Sequence, residues 1–147
     1  MKPRIYTDTS ALGGYEDEEF REWSRRLVDA FVGGELILAL RELEVAPAAV
    51  RRAVARVPDA HIELIVVTPE AEELAAAYIQ DGAVAASMRA DALHIALATV
   101  ARADVLVSWN FKHIVNLKRI HAYNAVNLKS GYPVLEIRTP REVPGDE

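Results

Sequence analysis

Short apolar runs alternate with amphipathic stretches along this chain, and that alternation constrains the fold more than any other feature. The run over 62–67 (Ile-Glu-Leu-Ile-Val-Val) reads as a strand because β-branched residues dominate it. Shorter runs over 4–8, 36–39, 104–108 and 134–138 read the same way. Between them lie helical periodicities. Phe20, Trp23, Leu27 and Phe31 recur at helical spacing over 17–31, and Gly33-Gly34 ends that stretch. A second stretch covers 40–57 through Leu43, Val50, Val54 and Val57, with Pro47 dividing it and opening its second piece. Thr68-Pro69-Glu70 combines a capping hydroxyl, a proline suited to the first helical position and an early acid, so a helix starts there. Two more helices are predicted over 87–102 and 111–127. Strands alternating with helices predict an α/β fold whose mostly parallel sheet is covered on both faces.

At 147 residues the chain is long enough for one domain with its own core. That domain is expected over 1–138, with a loose tail over 139–147 that holds Pro140, Pro144 and Gly145. There is no cysteine, which excludes disulfides and thiolate metal sites. The first eight residues carry no apolar signal run, and no stretch has the length and apolarity of a bilayer span, so a cytoplasmic protein without a membrane partner is expected. A net charge of −5 argues against generic nucleic-acid binding. The charge is unevenly spread, however. Glu16-Asp17-Glu18-Glu19 is densely acidic, whereas 105–135 contains no acid and carries Lys112, Lys118, Arg119 and Lys129. One end of the molecule can therefore be locally basic.

In open parallel sheets, ligands bind outside the carboxyl ends of the strands. Asp8 ends the first strand run, Glu42 starts the helix after the second, Asp91 lies early in the helix before the fourth, and Asn110 follows the fourth. Each has an ordinary structural reading: Asp8 as a turn cap, Glu42 on a solvated helix face, Asp91 as a first-turn acid. Brought together, the three carboxylates would repel, and a hard cation such as Mg²⁺ or Mn²⁺ removes that penalty. Such an ion binds phosphates and activates water, which makes a phosphodiester the natural substrate. His94 shares a helix face with Asp91 and reads as a hydrogen-bonded core histidine before a ligand. Lys112 and His113 follow the Trp109-Asn110-Phe111 turn, where they either hold a substrate phosphate or are simply solvated. Trp109 reads as packing before base stacking.

The stretch Ile5-Tyr6-Thr7-Asp8-Thr9-Ser10-Ala11-Leu12 resembles the opening strand of the PIN-domain family, with its first metal-binding aspartate. Arg41-Glu42-Leu43 is similar to that family's second acidic motif, and Asp91-Ala92-Leu93-His94-Ile95-Ala96-Leu97-Ala98 to its third. Ala103-Asp104-Val105-Leu106-Val107-Ser108-Trp109-Asn110-Phe111 resembles the strand and turn of the fourth. The matches run in order over roughly 4–138. The resemblance implies a PIN-like α/β/α sandwich with a central, mostly parallel five-stranded sheet. It implies a metal-dependent endoribonuclease acting on single-stranded RNA, of the kind that serves as the toxin of a toxin–antitoxin pair, with an antitoxin protein and a second copy of itself as partners.

Carried onto this chain, the resemblance makes Asp8, Glu42 and Asp91 both the catalytic residues and the metal ligands, with Ser10 steadying Asp8 or a bound water. Asn110 stands where many members carry an acid. Its carbonyl can still ligate a metal, but it adds no charge, so the expectation is one Mg²⁺ or Mn²⁺ rather than two. The same substitution motivates an alternative: a PIN-like domain that binds RNA or a protein without cutting.

Overall fold

The computed structural model describes residues 2–41 and 46–143. Five strands, β1 (Arg4–Thr7), β2 (Ile37–Arg41), β3 (Ile62–Ile65), β4 (Val105–Val107) and β5 (Glu136–Arg138), form one sheet in the order β3-β2-β1-β4-β5. Every pairing is parallel. Six α-helices among the described residues connect and cover it: α1 (Thr9–Gly13), α2 (Arg21–Val32), α3 (Ala48–Ala55), α4 (Pro69–Gln80), α5 (Arg89–Val100) and α6 (Leu117–Lys129). The α/β sandwich with a parallel five-stranded sheet is therefore present.

The alternation of strand side chains builds two cores. Ile5, Leu38, Leu40 and Val107 face α1, α2 and α3, through Leu12, Leu27, Phe31 and Val50. Tyr6, Ala39, Leu106 and Ile137 face α4, α5 and α6, through Leu74, Tyr78, Ile95, Leu97 and Tyr123. A buried polar knot ties the second layer together. Asn127 on α6 accepts from the Tyr78 hydroxyl and donates to Thr99 Oγ1, linking α6 to α4 and α5. Satisfied networks of this kind fix one arrangement of neighbouring helices.

Several expected boundaries move for local reasons. Leu40 and Arg41, expected to begin a helix, extend β2 instead, because they pair with β3 at Leu64 and Ile65. Pro47 caps α3 from outside rather than sitting in its first turn. The helix expected to reach 102 ends at Val100, and Arg102 adopts φ 60°, which no helix continues through. The helix expected from 111 starts at Leu117, where the Asn116 side chain accepts from Arg119 N at 3.2 Å. Thr68 and Pro69 start α4 as their chemistry predicts, with Thr68 Oγ1 accepting from Ala71 N at 3.2 Å.

The tail expected to be loose from Thr139 is held over 139–143. Thr139 is buried, its N–H donates to Glu142 Oε1 at 2.9 Å, and Val143 packs on the α2-side core. No helix among the described residues is long and apolar enough to cross a membrane.

Candidate functional site

The sheet register decides which side chains meet at its carboxyl edge. Thr7 pairs with Val107, so the next residues, Asp8 and Ser108, emerge side by side from adjacent strands. Tyr6 pairs with Ala39, which brings Arg41 to the same level on the other side.

Asp8 is buried and its side chain caps the N-terminus of α1. Its Oδ1 accepts from Ser10 Oγ at 2.8 Å and from Ala11 N at 3.0 Å. Its Oδ2 accepts from Ser108 Oγ at 2.5 Å. Each serine hydroxyl has one proton, and both are used on Asp8, so the 3.3 Å Ser10–Ser108 contact completes no further bond. The serine oxygens in turn accept backbone protons of the next turn: Ser10 Oγ from Trp109 N and Ser108 Oγ from Asn110 N, both at 2.9 Å. The capping role read for Asp8 is thus real, and Ser10 steadies it.

Asn110 extends this network to the third candidate acid. Its Oδ1 accepts from the backbone N–H groups of Lys112, at 3.2 Å, and His113, at 2.9 Å. Two backbone donors fix the amide's orientation and leave its Nδ2 facing Asp91 Oδ1 at 3.3 Å. The Asn110 carbonyl holds the 110–113 turn, and the group it presents to Asp91 is a donor. Asp91 lies in the first turn of α5, half-buried. A continuous path therefore runs Asp8–Ser108–Asn110–Asp91, across β1, β4 and α5.

A second pair sits beneath it. Tyr6 is fully buried, and its hydroxyl lies 2.7 Å from His94 Nδ1. Burial, then the charge of Asp8, holds the Tyr6 phenol far above its ordinary range. Burial pushes His94 below its ordinary 6.5; Asp8 and Asp91 oppose the shift and Arg41 reinforces it. Tyr6 and His94 share one proton across this contact, and the histidine tautomer decides which of them donates. His94 is the hydrogen-bonded histidine that its helix face suggested, and it senses both acids.

The remaining candidates divide. Glu42 lies outside the described residues. Lys112 is exposed, whereas His113 Nδ1 is buried without a hydrogen-bond partner. Of the basic residues in the acid-free window, Arg119 donates to Ala83 O and Lys129 pairs with Asp81, both contacts internal.

Among the described residues, no group of three or more histidines or acids is placed to hold a metal. The donor chemistry of the two acids still fits a hard cation. A carboxylate offers about four lone-pair positions. Protein donors take three on Asp8, leaving one on Oδ2, and Asn110 takes one on Asp91. Mg²⁺ is commonly held through one or two carboxylates, with water and phosphate completing the shell.

Ser108 is the residue that reading the sequence did not single out. Its one signal is a polar side chain directly after an apolar strand, the same pattern that marks Asp8. Comparison of the chain with protein-family models gives no match, and comparison with curated proteins gives none.

Proposed function

We propose that this chain is a divalent-metal-dependent endoribonuclease, with Asp8 and Asp91 as its carboxylate centre and Glu42 as the third acid. One observation carries the reading. Two acids far apart in sequence are joined through Ser108 and Asn110 at the carboxyl edge of a parallel sheet, where such sheets bind ligands. The ordered resemblance to PIN domains supports the same assignment.

A bound Mg²⁺ or Mn²⁺ would be held by Asp8 and Asp91 and would supply a polarised phosphoryl oxygen and an activated water. The protein's own contribution is positioning. Three donors hold the Asp8 carboxylate in one orientation, and Asn110 holds Asp91. Preorganised groups of this kind lower the cost of reaching the reactive geometry. Lys112, exposed on the adjoining turn, would meet a substrate phosphate.

The test is degradation of single-stranded RNA by purified protein. Cleavage with Mn²⁺ or Mg²⁺, loss with EDTA and loss in Asp8→Asn are expected. Cleavage that survives EDTA, or that persists in Asp8→Asn, refutes the assignment.

The Asn110 amide favours one alternative, because it presents a donor where an acid would add charge. In that case the domain binds RNA or a protein partner without cutting, and RNA is retained but intact at every metal concentration.

A further inference from the structure

At the Trp109 turn lies a cavity of about 290 Å³, lined by Glu19, Phe20, Trp23, Trp109, Phe111 and Arg141. Trp109 links it to the acidic centre, since this residue precedes Asn110 and its N–H is bonded to the same Ser10 Oγ that holds Asp8. Phe20 and Trp109 stack on each other at 4.3 Å between ring centroids, with 20° between their planes. Phe111 behaves differently. Its ring is tilted 42° from Phe20 and 49° from Trp109, at 6.5 and 6.1 Å, so it stacks on neither. It is also 51% exposed. Folding gains little from a phenylalanine left in water on a strand-end turn, yet the network around Asn110 fixes this turn.

The polar rim is mixed. The Arg141 guanidinium lies 5.7 Å from the centroid of the Trp23 ring, and exposed Lys112 follows Phe111. Glu19 is exposed at the mouth. Cations suit a phosphate backbone, and a carboxylate suits the amino group of a base edge. An aromatic face with both kinds of neighbour fits a nucleotide better than it fits an apolar peptide side chain.

We propose that this pocket receives one base of the RNA strand adjacent to the cleaved phosphate, stacked on Phe111, with Glu19 favouring bases that carry an amino group. The proposal rests on the nuclease reading for its ligand class, and the following test separates the two. A short single-stranded RNA with a central 2-aminopurine is titrated with the full chain, Ca²⁺ replacing Mn²⁺ to prevent turnover. Stacking quenches the fluorophore in the wild type. Phe111→Ala is expected to lose the quench and to bind roughly 5- to 150-fold more weakly, whereas Phe111→Tyr retains both. Glu19→Gln is expected to narrow the preference for oligocytidine over oligouridine. Thermal melting of each variant confirms that it is folded.

Unquenched RNA, or equal binding by Phe111→Ala and wild type, overturns the pocket assignment even if the wild type cleaves RNA with Mn²⁺. Quenching that Phe111→Ala abolishes sustains it even if no cleavage is found, in which case the nuclease reading alone fails. Loss of self-association in Phe111→Ala with RNA binding unchanged assigns the pocket to protein docking and overturns the proposal.

Discussion

Replacing Ser108 with alanine probes the centre of the network. The serine is fully buried, donates to Asp8 Oδ2 at 2.5 Å and accepts from Asn110 N at 2.9 Å. A hydrogen bond to a charged group contributes about 1.5–3 kcal/mol, and a donor left without a partner costs about 1–3 kcal/mol. The two contacts share one oxygen, so the losses do not simply add. Because Asn110 N is only partly buried, water recovers some of the second loss. The net expectation is about 3 kcal/mol, which lowers Tm by about 10 °C for a domain of this size. Differential scanning calorimetry at neutral pH measures it. Removing the hydroxyl also returns a lone pair to Asp8, so metal affinity should survive while the carboxylate, still held at Oδ1 by Ser10 and Ala11, loses the donor that orients Oδ2. Cleavage of RNA in Ser108→Ala should therefore fall without recovering at high Mn²⁺. A Tm within about 3 °C of wild type would show that the bond holds nothing together, and the account of how Asp8 is positioned would be wrong.

Two further predictions concern the surroundings of the site. A Cβ on Gly14 would lie 2.6 Å from Ser24 Oγ and 2.8 Å from Trp109 Nε1, displacing the bond those atoms share, while the backbone there is ordinary at φ −60°. Gly14→Ala is therefore expected to cost about 1–3 kcal/mol by overpacking alone, read from urea denaturation followed by tryptophan fluorescence. His94 titrates lower in the folded chain than its ordinary 6.5, so below that pH the unfolded state binds the extra proton and the folded state does not. Its contribution to stability is unchanged above pH 6.5 and falls by up to about 1.4 kcal/mol per pH unit below it. Stability curves of wild type and His94→Gln between pH 7.5 and 5 should diverge in that direction, and parallel curves would refute the assignment.

The layered α/β class is legible in the order of side chains alone, because strand and helix periodicities are local properties. Also legible there are the start of α4 at Thr68-Pro69 and the place of Asp8 at a strand end, since a cap and a strand terminus are set by immediate neighbours. The short helix α1, read as a turn, escaped because its stability comes from the Asp8 cap and from Ala11 and Leu12 buried in the core it shares with α2 and α3 rather than from its five residues. The register of Thr7 with Val107 is set by how the strands assemble, and with it come the Asp8–Ser108 bond, the orientation of Asn110 and its reach to Asp91. The same holds for Phe20 against Trp109, and for the unstacked Phe111 between them and solvent. Contacts between residues distant in the chain depend on how whole elements pack, and no pattern within either segment encodes the partner. The acids were legible one at a time; the polar network that makes two of them neighbours was not.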